Sequence, residues 1–178
     1  MKKLSVFLAS TNSTNPSFIN AIHTLAQLMA QDQVTLIYGG STTGLMGKLA
    51  DAMLTAGGDI IGVFPNDLQS NERPHQNLTQ LIQVHSLAER IAIMQELADG
   101  FIVFPGGLGT LEELFIVWNQ IRLGILNKPI GILNIENYYT HLYHFLIDSV
   151  QKEKLMTDSS LHIPLLAEDI KSLYAMLK

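Results

Sequence analysis

Apolar residues along the chain fall into short unbroken runs, separated by longer stretches in which they recur every three or four positions. The runs cover residues 4–9, 34–38, 60–64, 81–84, 101–104 and 130–133. Because they are continuous rather than alternating, they predict strands covered on both faces, as in a parallel sheet. The periodic stretches at 16–30, 45–56, 87–98, 111–123 and 138–151 predict amphipathic helices, with a last helix near 168–177. Strand and helix alternate with short turns between them, which defines an α/β chain with a doubly wound parallel sheet. One connection breaks the rhythm. Residues 65–79 are polar, contain Pro65 and Pro74, and carry Asn66, Asp67, Asn71, Glu72, Arg73 and His75. That is the pattern of either a functional flap or a disordered loop.

Composition narrows the picture. The 178 residues suit a single domain, and no repeat, low-complexity tract or linker divides them. Apolar types make up 47 % and charged types only 15 %, against about 25 % charged in an average globular chain. So little charge predicts that part of the surface is covered by another copy, giving a homodimer or larger homo-oligomer. The net charge of −5 argues against long nucleic acid as a partner. It leaves room for a small anion, since backbone N–H groups bind phosphate without help from lysine. With no cysteine, disulfides, thiolate metal sites and cysteine nucleophiles are excluded. The run after Met1-Lys2-Lys3 is too short for a signal peptide, and no apolar stretch is long enough to cross a membrane. A first strand and a cytoplasmic location are the expectations.

In an open parallel sheet, ligands bind beyond the carboxyl ends of the strands. Three turns there carry candidate chemistry. The first, Ser10-Thr11-Asn12-Ser13-Thr14-Asn15-Pro16, offers hydroxyls and amides to a phosphate or ribose, or simply caps the following helix. The second holds Gly39, Gly40, Gly44 and Gly47. Its Gly47-Lys48 hints at a P-loop, but Thr42 stands where the first glycine is required and Leu49 where Ser or Thr is required. The third, Pro105-Gly106-Gly107-Leu108-Gly109-Thr110, opens a helix and brings free N–H groups and the positive end of the helix dipole to one point. Behind it stand Glu112 and Glu113. Thr110 and Glu113 fit a capping box, and equally Glu113 is a candidate catalytic base or oxocarbenium stabiliser.

Arg90 is unusual in the same way. Ser86-Leu87-Ala88-Glu89 forms another capping-box pattern, so Arg90 falls in a first helical turn, where a cation opposes the dipole. A bound phosphate or a nearby carboxylate reverses that penalty. An arginine extended into solvent, or paired with Glu89, is the plain alternative. His23, His75, His85, His141, His144 and His162 form no metal-ligand spacing. Trp118 and its apolar neighbours read as core or as an interface between copies.

With these turns in view, the chain resembles the LONELY GUY family, which also carries the label lysine decarboxylase. The family's PGGxGTxxE motif stands here as Pro105-Gly106-Gly107-Leu108-Gly109-Thr110-Leu111-Glu112-Glu113, and its upstream YGG and GLMG elements as Tyr38-Gly39-Gly40 and Gly44-Leu45-Met46-Gly47. Gly57-Gly58-Asp59-Ile60-Ile61-Gly62-Val63, Lys128-Pro129 and Asn137-Tyr138-Tyr139 agree as well. The resemblance implies a Rossmann-like fold, usually dimeric, without metal or organic cofactor. It implies hydrolysis of a nucleoside 5′-monophosphate to free base and ribose 5-phosphate, with Arg90 and Glu113 catalytic and with Gly106, Gly107, Gly109 and Thr110 on the phosphate. Ser10, Gly39, Gly40, Gly44, Met46, Glu89 and Glu112 complete the candidate substrate-binding set. Three departures stand out: Leu87-Ala88-Glu89-Arg90-Ile91 replaces the family's Met-His-Glu-Arg-Lys, Leu8-Ala9-Ser10-Thr11 replaces Cys-Gly-Ser-Ser, and Asn119-Gln120-Ile121-Arg122-Leu123-Gly124 replaces Thr-Trp-x-Gln-Leu-Gly. Lysine decarboxylation would need pyridoxal phosphate on Lys48 or Lys128, neither in a supporting motif. A non-catalytic carrier of a nucleotide or of molybdenum cofactor is the alternative from another class.

Overall fold

The computed structural model describes residues 1–66 and 72–178. Asp67 and Asn71, named above in the long connection, lie outside the described residues. The elements run β1 (Lys3–Phe7), α1 (Pro16–Gln31), β2 (Thr35–Tyr38), α2 (Gly44–Thr55), β3 (Ile60–Pro65), β4 (Gln80–Val84), α3 (Leu87–Leu97), β5 (Gly100–Val103), α4 (Leu108–Arg122) and β6 (Ile130–Leu133). A short 3-10 turn at Ile135–Asn137 leads into α5 (Thr140–Phe145) and a π-helical stretch at Leu146–Gln151. The chain continues through α6 (Asp158–Leu161), β7 (Leu165–Ala167) and α7 (Ile170–Met176).

All the strands pair in parallel in one sheet of order β4-β3-β2-β1-β5-β6-β7. The apolar runs of β1, β2, β3, β5 and β6 follow from coverage of both faces of the sheet, whereas the edge strand β4 is mostly exposed. On β1, Leu4 and Val6 pack toward α1, α2 and α7, while Phe7 packs toward α3, α4 and α5. β5 divides in the same way, with Ile102 on the first side and Phe101 and Val103 on the second. Rossmann-like winding of this kind leaves a crevice where the strand order reverses. Here that point lies between β1 and β5: from β1 the chain winds toward β2, from β5 toward β6. The turns after these two strands therefore part, and a ligand-sized gap opens between them.

Several boundaries differ from the sequence expectation. The helix expected from residue 111 begins at Leu108, with Gly107 as its N-cap. The turn's own Leu108, Gly109 and Thr110 are thus its first helical residues. The helix expected over 138–151 is a 3-10 turn, a short α-helix and a π-helical stretch instead. α6 and β7 were not expected, since each is only three or four residues long, too short for periodicity to register.

Candidate active site

A cavity of about 280 Å³ occupies the β1/β5 crevice. Its walls come from Ser10 and Thr11 after β1, Gly39 after β2, Met46 on α2, Leu87 and Arg90 on α3, and Gly107, Leu108, Gly109, Thr110 and Glu113 after β5. Val6, Leu8 and Ala9 line it from β1 and the residues that follow, and Glu72 from the long connection.

Each wall has a local cause. Asn15, not Ser10 or Thr11, caps α1 by accepting from the Ser17 N–H at 2.8 Å, and Ser13 accepts from Asn15 N–H. Ser10 and Thr11 are therefore left facing the cavity. On α3 the serine half of the capping box forms as read, with Ser86 Oγ accepting from Glu89 N–H at 3.1 Å, while the Glu89 carboxylate accepts from the N–H of His85, one residue before the cap, at 2.7 Å. With Glu89 spent on the cap, Arg90 turns inward. One guanidinium nitrogen, Nη2, donates to Glu113 Oε1 at 2.8 Å. The other, Nη1, lies so close to Gly39 that a Cβ there would stand 3.3 Å from it. The same Cβ would stand 2.9 Å from Met46 Sδ, so a side chain at position 39 would crowd both Met46 and the guanidinium. The Arg90 Nε is buried without a partner among the described residues.

Glu113 is nearly enclosed, and burial pushes its carboxyl up to about 7. Arg90 pulls it down, while Glu112 and Glu72 push it further up. The burial effect dominates, so the carboxyl sits near neutrality in its affinity for a proton, the range suited to acid/base work at physiological pH. Glu113 does not close a capping box. Its helix is capped by Gly107 without any side-chain bond, and the Glu113 carboxylate is engaged by Arg90 instead.

The N-terminus of α4 is open. Gly107 carries no side chain, and Leu108, Gly109 and Thr110 are the first-turn residues whose N–H groups have no intrahelical acceptor. A Cβ on Gly107 or Gly109 would meet nothing within 4 Å, and neither residue has a positive φ. Among the described residues, neither packing nor a positive φ calls for glycine at these two positions, so the start of α4 is left open to close approach. Among the described residues, two carboxylates and no histidine line the cavity, and no group of three or more His, Asp or Glu gathers to hold a metal.

Of the candidate residues, Arg90, Glu113, Ser10, Gly39, Met46, Gly107, Gly109 and Thr110 come together in this cavity. Gly40, Gly44, Glu89, Gly106 and Glu112 do not line it. Gly40 and Gly44 hold positive φ values of 75° and 64° and shape the second turn. Gly106 packs beneath Thr110, and Glu112 points to solvent. Sequence reasoning missed Thr11, Leu87 and Leu108 as lining residues, although all three lie inside motifs it had singled out. Glu72 was noted only as part of the flap. That segment is pinned to the second glycine turn by a Ser41–Pro74 bridge and by Thr42 N–H donating to the Arg73 carbonyl at 3.0 Å. A larger groove of about 400 Å³ between α1 and α2, lined by His23, Lys48 and Asp51 among others, has no glycine turn and no part of the Arg90–Glu113 pair.

A doubly wound sheet with a glycine-bounded helix N-terminus and a buried arginine–glutamate pair at its switch point defines a Rossmann-like protein whose crevice is shaped for a small ligand. The family model described as "Possible lysine decarboxylase" matches residues 46–177. Cytokinin riboside 5′-monophosphate phosphoribohydrolase LOG5 of Arabidopsis thaliana is 36 % identical over 177 residues, covering 99 % of this chain and 77 % of its own. The cytokinin riboside 5′-monophosphate phosphoribohydrolase of Rhodococcoides fascians is 34 % identical over 178 residues, covering 99 % and 89 %. The chain belongs to this LONELY GUY family of phosphoribohydrolases. The molybdenum cofactor binding protein of Rippkaea orientalis shares the fold, with a TM-score of 0.69 at 20 % identity over 98 % of this chain and 93 % of that one.

Proposed function

We propose that this protein hydrolyses the N-glycosidic bond of a nucleoside 5′-monophosphate, releasing free base and ribose 5-phosphate. The observation that carries the reading is the buried Arg90–Glu113 pair beside a helix N-terminus that no side chain caps, where Gly107 and Gly109 have no packing neighbour among the described residues. The first-turn N–H groups of α4 and the Thr110 hydroxyl take the phosphate, which the helix dipole favours. Arg90 binds substrate and balances charge at the reacting end. As the bond from C1′ to the base nitrogen breaks, the Glu113 carboxylate stabilises the positive charge growing on the ribosyl carbon. Water then adds its hydroxyl to C1′ and gives up a proton through Glu113, while the departing base takes up one proton.

The relatives act on cytokinin riboside 5′-monophosphates by their names, and the same substrate class, or an AMP-like nucleotide, is proposed here. Decarboxylation of lysine gains no support, because no lysine lines the cavity. Lys48 lies in the outer groove, and Lys128 donates to the carbonyls of Gln95 and Glu96. A cytoplasmic homodimer belongs to the same reading, and the exposed Leu123, Ile125, Phe145 and Leu155 support a covered surface. The test is a panel of nucleoside 5′-monophosphates and the matching nucleosides, assayed for free base. Release from monophosphates alone supports the reading, and no release from any member overturns it.

A further inference from the structure

The β6–α5 connection reaches back to the glycine turn through two tyrosine hydroxyls. Tyr139 donates to the Phe104 carbonyl at 2.7 Å, and Tyr138 donates to the Gly106 carbonyl at 2.9 Å. The second bond has a consequence for Gly107. A trans peptide is planar, so the Gly106 carbonyl and the Gly107 N–H lie on opposite sides of one rigid unit. Holding the carbonyl at Tyr138 turns the Gly107 N–H to the side away from that ring. A plane flanked by two glycines is among the most freely rotating in a chain, so without an outside hold its donor would have no fixed direction.

The connection itself is held firmly. Glu136 and Asn137 both adopt left-handed φ values, 53° and 60°, a conformation costly for non-glycine residues. Bonds on both sides maintain it. Asn134 Oδ1 accepts from Tyr139 N–H at 2.7 Å, and the Glu136 carboxylate accepts from Asn15 Nδ2 at 2.7 Å and from the Ser17 hydroxyl. The Tyr138 ring packs edge-on against Phe18 of α1 and against Tyr139. The hydroxyl is thus fixed by α1, the element that follows the Ser10–Thr11 wall of the cavity.

We propose that Tyr138 is a positioning residue for phosphate, aiming the Gly107 N–H by gripping the Gly106 carbonyl on the opposite end of the same peptide. The proposal rests on the monophosphate reading above, and its test separates the two. Tyr138→Phe removes the hydroxyl and keeps the ring contacts. Binding of ribose 5-phosphate is measured by calorimetry for both proteins, together with kcat and KM on a nucleoside 5′-monophosphate and thermal melting. The variant is expected to bind ribose 5-phosphate about five- to tenfold more weakly, in line with a weakened bond to a charged group. KM should rise by the same factor, with kcat at saturation within about twofold of wild type and an unchanged melting temperature. A purely structural tyrosine would instead lower the melting temperature and leave ribose 5-phosphate affinity unchanged, which overturns the proposal. If the wild type binds ribose 5-phosphate but hydrolyses nothing, the hydrolase reading falls and Tyr138 is judged on binding alone. If the wild type releases base but does not bind ribose 5-phosphate measurably, the hydrolase reading stands and an unchanged KM in the variant overturns the role of Tyr138.

Discussion

Arg90 Nη2 meets Glu113 Oε1 at 2.8 Å, joining the first turn of α3 to the second turn of α4 across the crevice between β1 and β5. The two side chains are only 12 % and 7 % exposed. Neither helix gains from this geometry at its own end: a cation sits at the positive start of α3, and a carboxylate is drawn away from water. A pair held this way adds little net stability, because desolvation offsets much of the attraction between buried charges.

Glu113→Gln is therefore expected to lower kcat by about 100-fold or more while leaving the fold intact, since the amide keeps the shape but cannot stabilise a developing cation. Arg90→Ala should behave differently. It leaves Glu113 enclosed without its counter-charge, at a stability cost of about 3 kcal/mol at pH 8. The cost should shrink at pH 5, where a protonated Glu113 needs no partner. Urea unfolding at the two pH values, set beside steady-state rates, checks both. A Glu113→Gln protein releasing base at the native rate would remove the residue from the mechanism.

The raised carboxyl of Glu113 also predicts a pH profile. The ionised form is the one that stabilises a ribosyl cation, so kcat/KM should climb with pH and level off above about 7. Stability runs the opposite way. Between the ordinary glutamate value of 4.5 and about 7, the folded protein holds a proton at Glu113 that the unfolded chain has released. Stability from this group is thus lost as pH rises through that window. Glu113→Gln should flatten both dependences, and a rate profile that falls from pH 5 to 7 would contradict the assigned protonation state.

Much of this arrangement can be read from the chain, and the limits have physical causes. The six apolar runs all became strands, five of them because parallel strands buried on both faces leave a strong local mark; β4, at the sheet edge, is mostly exposed and its run is broken by Gln83. The serine half of the Ser86–Glu89 capping box is equally local, since its partners are three residues apart. Thr110 and Glu113 carry the same local pattern, yet the helix starts three residues earlier, at Leu108. Gly107 can cap a helix with no side chain at all, so nothing in the sequence marks the true start. The Arg90–Glu113 bond spans 23 positions, and the tyrosine bonds to Phe104 and Gly106 span 35 and 32. Contacts of that range depend on the sheet order, which local patterning does not specify.

His75 offers a check on the connection that brings Glu72 to the cavity. Its ring is buried, with Nδ1 accepting from Asn77 N–H at 3.2 Å and Nε2 facing Asp51 Oδ1 at 3.2 Å, while its own N–H donates to the Gly40 carbonyl. His75→Ala deletes both ring bonds and should destabilise the protein by about 1–3 kcal/mol. KM should rise as the Glu72 wall loosens. Unchanged stability and unchanged KM together would mean that the connection is held without the ring.

The glycines divide into two kinds, and substitution should separate them. Gly44 adopts φ +64°, and a Cβ there would overlap the backbone carbonyl of Ser10. Gly44→Ala carries both a left-handed backbone and a clash against main chain, so it should destabilise by about 2–4 kcal/mol. Gly109 has no positive φ and lies inside α4, where an added Cβ meets nothing. Gly109→Ala should raise stability by about 0.5–1 kcal/mol, since alanine loses less chain entropy in a helix. The same methyl stands where a phosphate would approach the α4 N–H groups. Monophosphate affinity should then drop about tenfold, the cost of displacing an anion from one charge-assisted bond. Thermal melting and KM measured on the two alanine proteins give opposite signs at Gly109 if the glycine serves the ligand. A gain in stability with no change in KM would mean that the phosphate sits elsewhere in the cavity.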